Sequence, residues 1–391
     1  METEKFKSLV VKEVETLRNR LGEISHKIHS NPELGFKEEK AAKLLSGYLE
    51  ENGFAIERGI CQLPTAFRAT YGTKKPFIAL LAEYDALPDL GHACGHNIIA
   101  TSAVGAAVAS KIAVDRFGGS IIVIGTPAEE LYGGKAVMAE KDAFNDLDAA
   151  MIVHPGTSDS AVIEALALHG IEVEFFGRAA HAASSPEAGI NALEAMLQSF
   201  AAINSLRQHI KSTARVHGII TDGGEAANVV PAHSAGTFLV RARENDYLEE
   251  LKERVLNCFI GAATATGARL QYKWDDVRYA PMRNNLQLAQ LYAENMHSLG
   301  RTVSLSASEN GFGSTDMGNV SQLVPSIHAI VAIADKDVQL HTPRFNEAAA
   351  SERGLDGAID AAGAMAMTVA DLLSSPEKLN SVKEEFERKN G

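Results

Sequence analysis

A chain of 391 residues is longer than one hydrophobic core usually organises, so two domains are expected. With 46% hydrophobic and 22% charged residues the composition is that of an ordinary globular protein, and a formal charge of −13 argues against nucleic acid or an anionic membrane as partner. Three scattered cysteines (Cys61, Cys94, Cys258) form no disulfide framework, and the charged first 25 residues lack the apolar centre of a signal peptide, so a reduced, cytoplasmic setting is expected.

Residues 7–29 and 37–52 read as amphipathic helices. Three short apolar runs follow, at 76–86, 119–128 and 149–156, rich in Ile, Val and Leu and bounded by turn residues. That pattern suits strands buried on both faces of a sheet. Helical patterns at 98–113 and 134–144 lie between them, so strand and helix alternate as in a doubly wound α/β layer. The apolar stretches are interrupted too often to read as a bilayer span of ~20 residues.

The character changes near Leu168. A half-exposed strand from 169, a helix at 190–210, strands at 215–221 and 235–243, a helix at 246–265 and a strand at 269–275 give the order β-α-β-β-α-β of a ferredoxin-like unit. After Pro281 the α/β pattern resumes with a helix at 285–298, a strand at 326–334 and one last helix at 346–373. The expected architecture is therefore a doubly wound mixed sheet (1–167 and 280–391) carrying an inserted ferredoxin-like α+β lid (168–279).

Ligands of open α/β sheets sit beyond the carboxyl ends of the strands. The first predicted strand ends at Glu83-Tyr84-Asp85, the second at Glu129-Glu130, and the third at His154; His341 follows the strand at 326–334. The turn His92-Ala93-Cys94-Gly95-His96-Asn97 adds a thiol two residues from an imidazole, the side chains a zinc-like ion prefers. Cys94, His96, Glu130, His154 and His341 are thus five candidate ligands, more than one tetrahedral ion needs and suited to two ions sharing a bridge. Adjacent carboxylates leaving a strand point in different directions, so Glu130 is assigned to metal and Glu129 to proton transfer as general base. Asp85 is the candidate to orient a ligand imidazole.

Eight ordered segments carry a resemblance. They are HSNPELGFK (29–37), EYDALPD (83–89), GHACGHNI (91–98), GTPAEEL (125–131), GRAAHAAS (177–184), NVVPA (228–232), GSTDMGNVSQ (313–322) and HTPRFN (341–346). Together they resemble the metal-dependent aminoacylase/carboxypeptidase family, in its amidohydrolase branch with aminobenzoyl-glutamate hydrolase, β-alanyl-lysine-type dipeptidases and indole-acetyl-amino-acid hydrolases. The resemblance implies a catalytic domain with a ferredoxin-like lid, and two divalent ions, usually zinc, with manganese, cobalt or nickel in relatives. It implies the five ligands above, Glu129 as base, and His181 as a donor to the reacting carbonyl, often from a partner subunit. Asn228 and Arg283 look like substrate contacts by the same resemblance, with Arg178, Arg241 and Arg243 competing for the substrate carboxylate.

Asn97 and Glu83 depart from much of the branch and point away from plant-hormone conjugates and aromatic N-acyl substrates. The expected activity is hydrolysis of an amide or peptide bond in a small N-acyl amino acid or dipeptide by water that the cations and a glutamate base activate. A homodimer through the lid, or a tetramer, is expected as well. Two other readings stay open: a thiol hydrolase with Cys94 as nucleophile, and a non-catalytic protein with structural metals.

Overall fold

The computed structural model describes residues 2–306 and 313–388. Its strands are β1 (Ala55–Arg58), β2 (Phe67–Gly72), β3 (Phe77–Ala82), β4 (Ser120–Gly125), β5 (Ala149–Gly156), β6 (Ala167–Phe176), β7 (Arg215–Asp222), β8 (His233–Ala242), β9 (Arg269–Trp274) and β10 (Ser326–Ala332). The chain divides into two compact units. The larger takes the described parts of Met1–Glu164, Met282–Phe312 and Asp316–Gly391; the smaller takes Ala165–Pro281 and Gly313–Thr315.

The larger unit holds a six-stranded sheet in the order β1-β2-β4-β3-β5-β10. Strands β4, β3, β5 and β10 are parallel to one another, while β2 runs antiparallel to both β1 and β4. The central strands are buried along almost their whole length, and successive residues go to opposite faces. Ile78, Leu80, Ile121, Val123, Met151 and Val153 face one core with the long helices. Ala79, Leu81, Ile122, Ile124 and Ile152 face a second core with Met138, Phe144, Met317 and Val320. A run apolar at every position is what a strand needs when both of its faces are covered.

Two helices, His96–Phe117 and Glu352–Ser374, are long and apolar enough to cross a membrane, which the sequence reading did not expect. Their most apolar stretches are 83% and 89% buried inside the larger unit, so their apolarity is spent on packing. The antiparallel pair β1–β2 was also unexpected. β1 reads AIER and is mostly exposed, so it carries little apolar signal, and it forms an edge that its charges and shortness protect. The single last helix expected at 346–373 is in fact two, Pro343–Ala349 and Glu352–Ser374. The break falls where Ser351 Oγ accepts the Gly354 N–H at 3.1 Å, a cap that starts a new helix.

The smaller unit is one antiparallel sheet in the order β7-β8-β6-β9, with helices Ala192–Leu206 and Asn245–Thr266. Its element order, β-α-β-β-α-β, is the ferredoxin-like split unit. It begins three residues before the expected boundary, and the short segment 313–315 joins it, with Leu166 N donating to Gly313 O at 2.7 Å. Phe238 of β8 anchors the core, its ring centroid 4.9 Å from those of both Phe200 and Phe259. Phe238→Ala is expected to destabilise this unit by about 3–5 kcal/mol, read from the denaturant midpoint, because the hole lies between two rings held by separate helices.

Candidate metal centre

The order of the parallel strands reverses at β3, which lies between β4 and β5, and the residues that follow these strands meet beyond their carboxyl ends. Glu83, Tyr84 and Asp85 follow β3, Glu129 and Glu130 follow β4, and His154 lies among the last residues of β5. Glu129 and Glu130 do not simply leave a strand, as expected. They open a one-turn helix, Glu129–Tyr132, behind Ala128 in the left-handed region (φ 61°). The buried Glu38 carboxylate holds that turn, accepting Ala128 N at 2.8 Å and the Thr65 hydroxyl at 2.9 Å, and burial raises Glu38 to about pKa 7.

Gly95 sets the position of the Cys94–His96 turn. Its φ is +75°, and an added Cβ would lie 2.5 Å from Pro155 Cγ, so only glycine lets the turn rest on the end of β5. Cys94 Sγ then sits 3.3 Å from His154 Nε2. His154 Nδ1 donates to its neighbour's carbonyl, Pro155 O, at 2.6 Å, which leaves the Nε2 lone pair facing the sulfur. Burial first, then the nearby His96, lowers His154 to about pKa 4, so its imidazole is neutral, as a ligand must be.

Asp85 orders the other side. One oxygen pairs with His96 Nδ1 at 2.9 Å and the other accepts Glu130 N at 3.0 Å. Burial works against the Asp85 charge, but His96 outweighs it and the carboxyl lies below its usual range. His96 Nε2 therefore faces Glu130 Oε1 at 3.6 Å, and Glu130 Oε1 faces His341 Nε2 at 3.5 Å. His341 holds a left-handed backbone (φ 60°), pinned by its N–H to Ala93 O at 2.9 Å.

These separations are too long for hydrogen bonds and match the spacing of atoms around a common centre. Four donors at ~2.1 Å from one ion lie roughly 3.4 Å apart. Cys94, His96 and His154 form one such group and Cys94, Glu130 and His341 another, with ligand atoms within 4.8 Å of one another in each. Cys94 belongs to both. His96 Nε2 and Glu130 Oε1 are buried without a hydrogen bond. A thiol, imidazoles and carboxylates of this kind would suit divalent cations, with Cys94 common to two of the groups. Glu129 forms a third such group with His96 and Glu130, and burial, then Glu83 and Asp316, push its carboxyl well above the usual range.

Three charged residues absent from the sequence-derived site lie against it. Lys135, fully buried, reaches Glu83 Oε1 at 2.5 Å and Asp316 Oδ1 at 2.7 Å, and its backbone N–H donates to Asp316 Oδ2 at 2.8 Å. Burial opposes the Lys135 charge, but Asp316 and Glu83 overcome it, while burial lifts Asp316 to about pKa 6. The doublet GK at 134–135 resembles any exposed turn in sequence, and nothing local marks Lys135 as interior.

His181 and Asn228 lie in the smaller unit on adjacent loops, with Ala182 N donating to Asn228 O at 3.0 Å. Both side chains are exposed. His181 Nδ1 accepts the backbone N–H groups of Ala183 and Ser184, each at 3.2 Å, so its proton resides on the outward Nε2. Arg283 contacts the last helix of the larger unit. Its guanidinium lies 4.3 Å from the centroid of the Phe386 ring and donates to Phe386 O, so the last helix holds it. Of the competing arginines, Arg178 Nε donates to Ala188 O at 2.6 Å, whereas Arg241 Nη1 donates to Ser314 Oγ at 3.0 Å and keeps a buried Nε without a hydrogen bond.

Residues 79–356 match the peptidase family M20/M25/M40. The chain belongs to this family. Among curated relatives, the Xaa-Arg dipeptidase of Mus musculus is 37% identical over 99% of this chain and 94% of its own length. A component of the p-aminobenzoyl-glutamate hydrolase of Escherichia coli is 36% identical over 69% of this chain and 61% of its own. A dinuclear metal-binding peptidase of the M20 family from Bacillus subtilis superposes with a TM-score of 0.70 at 22% identity, covering 91% of this chain and 99% of that one. An aminobenzoyl-glutamate utilization protein from Klebsiella pneumoniae gives 0.68 at 20%, covering 89% and 97%. At those identities the likeness is one of fold. The chain is thus an enzyme of an established peptidase and amidohydrolase family.

Lys135→Met is expected to destabilise the larger unit by about 3–5 kcal/mol in urea unfolding, since it leaves Glu83 and Asp316 buried without their shared counter-charge.

Proposed function

We propose that this protein hydrolyses the amide bond of a small dipeptide or N-acyl amino acid, with two divalent cations, zinc foremost, held by Cys94, His96, Glu130, His154 and His341. The observation that carries this reading is the pair of donor groups joined at Cys94, with Glu129 beside them. When bound, the cations would supply Lewis acidity toward the carbonyl and toward water. Glu129 takes a proton from the attacking water as its oxygen bonds to the carbonyl carbon. The same carboxyl then gives that proton to the amine nitrogen as the C–N bond breaks. His181, with its proton fixed on Nε2 by two backbone donors at Nδ1, donates to the carbonyl oxygen as charge builds there. Asn228 is assigned a role in holding the substrate. Dipeptides ending in a basic residue are the first class to test, because the mouse relative that spans nearly the whole chain is an Xaa-Arg dipeptidase.

The thiol mechanism is the weaker reading. Burial raises the Cys94 thiol well above its ordinary range, and Glu130 and Glu129 add to the rise, so an uncomplexed sulfur there stays protonated. Zinc coordination reverses that preference by binding the thiolate.

Glu129→Gln is expected to keep its cations by elemental analysis while kcat falls by about 10²–10⁴. His181→Ala is expected to lower kcat by about 10²–10³ with cation content unchanged. Chelation should abolish turnover of a panel of Xaa-Arg dipeptides, p-aminobenzoyl-glutamate and hippurate, and added zinc or manganese should restore it. Turnover that survives chelation and dies on thiol alkylation would replace this mechanism with the cysteine one.

A further inference from the structure

We infer that the smaller unit carries a binding site for a phosphate-class oxyanion, built by Arg207, Lys211 and Arg215 from residues the candidate metal centre does not use. The inference does not depend on the hydrolysis proposed above. No aspartate or glutamate stands between Glu194 and Asp222, although the chain has 50 acidic residues and a formal charge of −13. That stretch holds Arg207, Lys211 and Arg215, with His209 and His217 beside them. The helix Ala192–Leu206 ends just before Arg207, and a turn closed by Ala214 N donating to Lys211 O at 2.9 Å leads into β7. The fold thereby gathers the three cations around one recess of about 240 Å³, lined by them and Ser212 together with the apolar Ile210 and Val216. That is room for a small oxyanion and a few waters, at about 30 Å³ for each water.

The two arginines are held in place without being neutralised. Arg207 donates through Nη2 to Val216 O at 2.8 Å and through Nη1 to Asn204 Oδ1. Arg215 Nη1 donates to Ser212 O at 2.5 Å and to Ala214 O at 2.7 Å, which leaves its Nε and Nη2 for another acceptor. Among the described residues neither guanidinium meets a carboxylate; Lys211 does, with Glu244 Oε2 at 2.9 Å in an exposed pair of small worth. Arg215 stands opposite Arg241 in the β7–β8 ladder, and like charges directly opposed on a sheet repel. Burial first, then Arg241 and Arg207, hold the His217 imidazole below its ordinary pKa, which marks the same excess of positive charge. Backbone carbonyls thus fix two planar donor forks beside an ammonium, the geometry that takes phosphate oxygens in pairs. A single carboxylate would occupy one fork, whereas a tetrahedral dianion has oxygens for both and charge enough to offset the repulsion.

The test is calorimetric titration of the intact protein with inorganic phosphate and, in parallel, with glycerol 3-phosphate, at fixed ionic strength, for the wild type, Arg207→Gln, Arg215→Gln and Lys211→Ala. The wild type should bind phosphate saturably. Each arginine variant should weaken that binding by about 10-fold or more, as loss of a charge-assisted hydrogen bond does, while dipeptide hydrolysis in phosphate-free buffer stays unchanged. Lys211→Ala removes an exposed ammonium and no backbone contact, so its smaller weakening serves if an arginine variant fails to fold. Tighter binding of glycerol 3-phosphate would assign the recess to the phosphate group of a larger metabolite, and tighter binding of inorganic phosphate to the free ion. Heat no greater than that of chloride at the same ionic strength would overturn the inference. Phosphate binding that survives all three substitutions, as it would if cations of the metal centre held it, would overturn it too.

Discussion

The two-handed grip of Asp85 is the contact on which the rest of the centre depends. One oxygen fixes the tautomer and tilt of His96, and the other holds the backbone at the start of the Glu129–Glu130 turn. A single buried carboxylate just beyond β3 thereby sets the spacing between an imidazole from one helix and two carboxylates from another. Glu38 completes the hold from outside by accepting the N–H of the left-handed Ala128. Both carboxylates are well over nine-tenths buried, so their alternative partners are not water but unsatisfied interior.

The centre concentrates negative charge. Glu83, Asp85, Glu129, Glu130 and Asp316 converge with the Cys94 thiol, and Lys135 is a buried cation paired with Glu83 and Asp316. Self-repulsion of this kind is costly in a low-dielectric interior. Under the proposed function divalent ions would relieve it, so that affinity for them and stability of the larger unit would be two aspects of one arrangement. The burial of His154 and its neutral imidazole fit the same proposal, since a protonated ring there would compete with the proposed ions.

Much of this was readable in the linear chain, and the reasons are specific. The apolar runs at β3, β4 and β5 are doubly buried and announce themselves without alternation. The smaller unit was legible from the switch to half-exposed strands at β6 and from two well-separated helices. Cys94 and His96 share one turn, and Glu129, Glu130, His154 and His341 follow strand ends, so a topological rule was enough to nominate them. What escaped was either short or non-local. β1 has four residues with little apolar content. The break at Ser351 is one capping hydroxyl within a continuous helical pattern. Lys135 and Asp316 are 181 positions apart, and neither has a sequence neighbour that hints at the other. Arg283 was nominated by the family resemblance, whereas its stacking on Phe386 depends on the helix Pro376–Arg388, which hydrophobic periodicity did not single out.

The hydrogen that stands where other residues carry a β-carbon at position 95 has a reach beyond its own turn. It lets the segments of Cys94 and His154, 60 positions apart in the chain, come to rest against each other, with Pro155 as the bearing surface. A methyl group there would act as a spacer between sulfur and imidazole. Directed-evolution libraries that randomise residue 95 would therefore vary the spacing of Cys94 and His154, and with it the proposed cation affinity, while leaving every candidate donor in place.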